Sequence, residues 1–312
     1  MMRTGGLILS FSLLAAPSAF AEDGGVSIRN AVARVEVIPE ARSDVTVSVT
    51  PGRKALPTVQ VRREGSRVVL DGGLAHRVKG CGFYGFGVSW NMTDNKSGHA
   101  PKARAHVIGV GNIGPEDMPH IVIHTPLDAS VEADGAVFGQ VGAAHRLDVA
   151  LSGCGDWTLS DVADALSVAM SGSGDVNGGR AGRLKVMVSG SGDVRLTQIS
   201  GPADVTTSGS SDVSLASSGP LSVRIGGSSD VKVKTVNGPI HAQISGSGDV
   251  TVDQGNAPEV QVSVAGSGDF RFRGQAGSVS ASVAGSGDID IAHATGPVSQ
   301  SKAGSGDIHI GR

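Results

Sequence analysis

In the second half of the chain, apolar and polar positions alternate in short bursts, and the bursts recur. After each of a series of aspartates, the next residue and the one two further on are apolar: Val194/Leu196, Val213/Leu215, Val231/Val233, Val250/Val252, Phe270/Phe272, Ile289/Ile291 and Ile308/Ile310. Successive side chains of a strand point to opposite faces, so this spacing predicts a short strand with one face inward. A turn follows, often Gly-Pro, as at Gly201-Pro202, Gly219-Pro220, Gly238-Pro239 and Gly296-Pro297. Proline sets φ there and lacks an N–H donor. A second alternation comes next: Leu221/Val223/Ile225, Ile240/Ala242/Ile244, Val260/Val262/Val264 and Val279/Ala281/Val283. Each unit therefore supplies two strands and two corners.

The units are joined by one glycine-rich hexamer, present in nine copies. It reads SGCGDW from Ser152, SGSGDV from Ser171, Ser189 and Ser245, SGSSDV from Ser208, GGSSDV from Gly226, AGSGDF from Ala265, and AGSGDI from Ala284 and Ala303. Its aspartates are Asp156, Asp175, Asp193, Asp212, Asp230, Asp249, Asp269, Asp288 and Asp307. They recur at a nearly constant interval of about 19 residues, and a period of this size marks stacked supersecondary units. One unit cannot bury both apolar stripes alone, but coils stacked at ~4.8 Å bury a continuous interior and pair their backbones between rungs. The prediction is an all-β fold, a parallel β-solenoid with rungs of about 19 residues. The 3.6-residue period of helical repeats is absent. The hexamer is expected to form the corner, with glycine giving positive φ and close coil approach, and Asp or Ser bonding nearby amides.

Upstream the regularity weakens. Strand candidates are Val32–Val37, Val45–Val49, Thr58–Val61, Arg67–Leu70, Ile121–Ile123, Val131–Ala133 and Leu147–Leu151. The expected organisation is a signal peptide over 1–21, a β-rich cap or early irregular rungs from 22 to 104, and the solenoid from 105 to 312. Residues 79–104 interrupt the pattern as an aromatic and glycine-rich insertion.

Composition sharpens this picture. Forty-seven glycines with only 3% aromatics suit either a disordered chain or a glycine-punctuated solenoid, and the periodic Val, Ile and Leu select the solenoid. A formal charge of −3, with acids and bases interspersed, argues against a nucleic-acid surface or a polybasic membrane patch. Arg3, the apolar run Leu7–Ala16 and Ala19-Phe20-Ala21 read as an export signal cleaved after Ala21. Later stretches are too short in apolar residues to span a bilayer as a helix, and no cysteine follows the cleavage site to carry a lipid. The protein is expected outside the cytoplasm, in the periplasm or at the cell surface.

Four groups are candidates for chemistry. The aspartate column either faces solvent, bonding the amides of its own corners, or holds a row of cations, with calcium as the ion. Rungs at ~4.8 Å would set neighbouring carboxylates against each other by about 1 to 3.5 kcal/mol. The stretch CGFYGFGVSWN gathers Phe83, Tyr84, Phe86 and Trp90, which either pack against the solenoid or bind a sugar or partner. Cys81 and Cys154 either pair in an oxidising compartment or stay free. Of His99, His106, His120 and His124, the last two share a strand face at ~13 Å, too far apart to ligate one metal.

Signatures of a nucleophile elbow, a zinc-protease helix or a phosphate loop are absent. Some β-helices cleave polysaccharides with clustered carboxylates, so the acids off the column, Asp161, Asp164, Asp204, Asp253, Glu259 and Asp290, are the ones to follow.

From about Val107 to Ile310 the sequence resembles the auto-transporter adhesin head, or GIN, domain family. The resemblance rests on HIVIHTPLDASVEADG, LDVALSGCGD, the run of SGSGDV and AGSGDI rungs, and FRGQAGSVSASVAGSGDIDI. It implies an exported β-solenoid without established catalytic residues. The ninth rung is followed by only a few residues, which leaves no room there for a membrane barrel. The expected function is a non-enzymatic envelope or surface binding module that needs no cofactor unless the column takes calcium. Its partner would be an envelope protein or polysaccharide. A carbohydrate-active β-helix and an end-to-end self-assembling structural protein are the alternatives. Gln300 and Lys302 stand where earlier rungs are apolar, as a polar end cap.

Overall fold

The computed structural model describes residues 25–81 and 104–312. It is about 65% strand and forms a parallel β-solenoid of about ten turns. A representative turn runs through the strand Val194–Ile199, a Gly-Pro turn, the strand Ala203–Thr207 and the corner at Ser208, before the next turn opens at Asp212. The strands of successive turns stack on two faces, the first and the second sheet, and in turns such as Val250–Val264 one strand runs through both, so like residues stack in files. Val176, Val194, Val213, Val231, Val250, Phe270, Ile289 and Ile308 form one file in the first sheet. Val149, Val168, Val186, Val205, Val223, Ala242, Val262 and Ala281 form one in the second. Both files are almost wholly buried; only Ile308, in the last turn, is partly exposed. The alternation that predicted the strands is the alternation that fills this interior.

Of the two roles expected of the corner glycines, close coil approach is the one that most of them play. Among them only Gly155 and Gly304 adopt clearly positive φ, at 114° and 139°. The others are required by the closeness of successive coils. A Cβ on Gly190 would lie 1.9 Å from the carbonyl oxygen of Gly172, and one on Gly172 would lie 1.7 Å from that of Gly153. Space, rather than left-handed backbone, fixes glycine here.

The expected boundary at residue 105 also needs correction. The strand Gly25–Pro39 lies inside the stack, in parallel register with Asp128–Val141. It bends at Asn30, which takes φ 52°, a conformation that Asn tolerates better than most residues. On its other side lie Arg67–Asp71 and His120–Thr125, both parallel to it. These are covered in turn by Gln60–Glu64 and Thr46–Thr50, both antiparallel. The true end cap is therefore this outer pair of antiparallel strands. Arg62, Arg63 and Glu64 on the Gln60–Glu64 strand are exposed, and charge on an edge strand discourages further pairing.

A small antiparallel sheet, Val78–Cys81, Ala105–Val107 and Gly111–Ile113, sits against the first turns. Its own core joins Leu74, Val107, Ile113 and Met118 to Val32 and Ala136 of the solenoid. Cys81 is disulfide-bonded to Cys154, with Cα atoms 5.7 Å apart. Cys154 occupies the serine place in the first hexamer, so the bond ties this sheet to a corner. In the turn that follows, Trp157 fills the interior where later turns place Val; Gly139 makes the room, since a Cβ there would meet the indole at 2.3 Å.

Candidate functional site

The aspartate column is built by hydrogen bonds between rungs. Oδ1 of Asp156 accepts the backbone N–H of Asp175 at 3.2 Å, and Asp175 in turn accepts that of Asp193 at 2.9 Å. The pattern continues from Asp193 to Asp212, Asp230 to Asp249, Asp249 to Asp269, Asp269 to Asp288 and Asp288 to Asp307, at 2.7 to 3.0 Å. The amides come from the neighbouring rung and not from the aspartate's own corner, which corrects the sequence reading. At the step from 212 to 230, where Ser211 and Ser229 replace the second glycine, the corner uses another contact. There Ser229 Oγ accepts the Ser211 amide at 3.1 Å and lies 3.3 Å from its hydroxyl, both serines being buried.

Each charged-acceptor bond is stronger than a neutral one and offsets repulsion between stacked carboxylates. Basic neighbours contribute as well: Arg195 lies 2.7 Å from Asp193 and 3.6 Å from Asp175, and Lys302 lies 2.7 Å from Asp307, holding that carboxyl below its usual range. Among the described residues no group of three or more His, Cys, Asp or Glu side chains converges as a metal site would.

The other candidates are dispersed. Phe83, Tyr84, Phe86, Trp90, His99 and the export signal over 1–21 lie outside the described residues. His120 and His124 share a face of one strand but engage different carboxylates, Glu36 at 3.8 Å and Glu40 at 3.1 Å. His106 Nδ1 lies 2.9 Å from Asn112 Oδ1.

Five of the six acids off the column, all but Glu259, are held by arginines. Asp161 is paired with Arg180 at 2.7 Å, Asp204 with Arg224 at 3.2 Å, Asp253 with Arg273 at 2.6 Å, and Asp290 with Arg271 at 3.7 Å. Asp164 lies between Arg146 at 2.9 Å and Arg183 at 2.7 Å. Hydrogen bonds from Arg146 and then Arg183 hold the Asp164 carboxyl below its usual range, and Arg180 does the same for Asp161. A glycosidase needs a carboxyl pushed upward to donate a proton. These environments act in the opposite direction.

What the sequence reading missed is a groove of about 920 Å³ on the outside of the second sheet. One wall is the outward file Ser130, Asp148, Ser167, Lys185, Asp204, Ser222 and His241, whose members stand in register on seven consecutive rungs. The other wall is the turn side, with Asp128, Arg146, Arg183, Pro202 and Pro220. Short side chains at Ser130, Ser167 and Ser222 keep it open, and among the described residues no Phe, Tyr or Trp lines it. The signal was present in the sequence, in the outward positions of the second strand read across rungs.

The family model described as "Putative auto-transporter adhesin, head GIN domain" matches residues 118–239 and 235–311. The chain belongs to this family. Among solved structures this GIN-domain chain is similar to a "putative adhesin" from Bacteroides fragilis NCTC 9343, at 15% identity over 93% of both chains with a TM-score of 0.38. A "putative adhesin" from Parabacteroides distasonis ATCC 8503 matches at 15% identity over 93% of both chains, with a TM-score of 0.39. A "putative lipid binding protein" from the same organism matches at 15% identity over 93% of this chain and 92% of its own, with a TM-score of 0.34. No curated protein matches. Among the described residues no helix is long and apolar enough to cross a membrane.

Proposed function

We propose that the protein is an exported, non-enzymatic binding module of the cell envelope or surface, and that it makes its contacts through the groove on the second sheet. The observation that carries this reading is the seven-rung groove itself, about 920 Å³ and walled by polar and charged side chains. A rigid solenoid holds such side chains at fixed spacing without further ordering cost, which favours binding of extended partners. Against catalysis stand the arginine partners of five of the off-column acids. Against end-to-end assembly stands the outer antiparallel strand Gln60–Glu64, whose exposed Arg62, Arg63 and Glu64 put charge on a sheet edge.

The test is capture of labelled material from the source envelope by the purified full chain and by Ser167→Trp, which fills the groove at mid-length. The reading expects capture by the native chain and at least about tenfold less by the variant at unchanged melting temperature. Equal capture by the two would overturn it.

A further inference from the structure

Among the described residues, two charges in the groove have no counterpart. Among the described residues neither Asp148 nor Lys185 makes an ion pair, although nearly every other charge on the groove walls does: Asp128 with His145 and Arg146, Arg146 and Arg183 with Asp164, and Asp204 with Arg224. The two stand in one outward file. Asp148 is in register with Ser167, and Ser167 with Lys185, so the pair is separated by one short side chain and two rung steps. Two steps of a parallel stack span about 9.6 Å. At that distance the two charges cannot form a salt bridge with each other, and each faces the same trough.

We propose that this groove binds an extended polypeptide segment carrying a basic and an acidic side chain three residues apart, the base at Asp148 and the acid at Lys185. The proposal rests on the groove being the contact surface and names what it contacts. A chain in the polyproline II conformation has three residues per turn and advances about 3.1 Å per residue, so side chains at i and i+3 lie on one face about 9.3 Å apart and match the two-rung interval. The chain runs along the solenoid axis across the rungs. It is held by side chains, since the backbone N–H and C=O groups of the floor at Leu166, Leu184, Ala203 and Leu221 are already spent between rungs. Ser167, between the two charges, leaves space for the intervening residues and offers a hydroxyl to their backbone. A neutral polysaccharide fits less well: it leaves both charges unanswered, and among the described residues the groove has no Phe, Tyr or Trp on which a sugar ring would stack.

The experiment uses the full chain with its disulfide intact and a fluorescein-labelled peptide of three Lys-Ala-Ala-Glu repeats, read by anisotropy. All-lysine and all-glutamate peptides of the same length and unlabelled dextran as competitor are the controls. The proposal expects the mixed peptide to bind best, dextran to compete poorly, and affinity to fall as salt rises. Lys185→Glu and Asp148→Lys each weaken binding by about fivefold, the loss of one exposed charge contact together with the repulsion that replaces it. The double variant D148K/K185E recovers to within about twofold, because the peptide reverses direction to meet the exchanged charges; a merely structural role for either residue would not be repaired this way. Indifference to the single reversals, absence of recovery in the double variant, or displacement by dextran would overturn the proposal. The two readings fail separately. If Ser167→Trp abolishes envelope capture while the mixed peptide does not bind, the groove is the contact surface and the ligand class is wrong.

Discussion

The carboxylate of Asp249 accepts the backbone N–H of Asp269, one rung further along the chain, at 2.8 Å. The Asp269 carboxylate passes the same bond to Asp288 at 2.9 Å. The aspartates are thus rung-to-rung fasteners, and the role needs an acceptor oxygen more than it needs a charge. Asp269→Asn keeps that oxygen and is expected to cost less than half of what Asp269→Ala costs. The alanine variant leaves the Asp288 amide without its partner and is expected to lose about 1 to 2 kcal/mol. Urea denaturation of the two variants against the native chain checks the order.

The two glycines of the hexamer make different demands. Serine occupies the second glycine position at Ser211 and Ser229, whereas the first position is glycine in all nine copies. A Cβ on Gly246 would lie 1.9 Å from the carbonyl oxygen of Gly227, with the Gly227 carbonyl carbon and amide nitrogen at 2.8 and 3.1 Å. Gly248 is just as crowded in place, 1.9 Å from the oxygen of Ser229, but the Ser211–Ser229 step shows that this corner can shift to admit a side chain. Gly246→Ala is therefore expected to destabilise by about 2 to 3 kcal/mol and Gly248→Ser by about 1 kcal/mol or less. Thermal melts of the two variants, run side by side, give the comparison.

These corners also show how far the sequence could be read. The steady recurrence of the hexamer and the apolar pairs after each aspartate led directly to the stack, because one face of every strand must be buried and the repeat leaves one register that buries them all. Which of glycine's two expected roles at the corner dominates was not legible. Residue type alone does not separate a left-handed turn from a carbonyl of the next coil lying 1.9 Å from the missing Cβ. The start of the stack was blurred for a related reason. Gly25–Pro39 turns its corner at Asn30 without the hexamer, so nothing in its sequence announces a rung. The groove went unread because its wall is made of outward residues from seven rungs, from Ser130 to His241, which must be set in register before they form a line.

The Cys81–Cys154 bond closes a loop of 73 residues. In the chain-entropy model a loop of that size is stabilised by about 4 kcal/mol. Cys81→Ser with Cys154→Ser is expected to lose most of that, with the loss centred on the small sheet that carries Leu74, Val107 and Ile113. Hydrogen exchange with and without reductant should show protection falling at Ala105–Val107 while the rungs beyond Ser208 keep theirs.

Arginine partners lower the carboxyl of Asp164 in the folded chain, through Arg146 first and Arg183 second. A depressed carboxylate binds fewer protons folded than unfolded, so its contribution is present above the unfolded value near about 3.9 and fades as pH falls through the folded one. Replacing both arginines by glutamine is expected to raise the Asp164 midpoint in a carboxyl NMR titration. The acid limb of the stability curve then flattens below about pH 4.

Stacking of successive turns in parallel register is the claim on which every statement about columns, corners and groove depends. Ser167 and Ser280 are remote from each other along the chain. Register places them in one outward file, six rungs from each other, through Lys185, Asp204, Ser222, His241 and Gln261. Spin labels at these two serines, read by double electron–electron resonance, should give one narrow distance of about 29 Å, the length of six steps at ~4.8 Å. A broad distribution, or a distance half as long again as that, would contradict the stack and everything drawn from it.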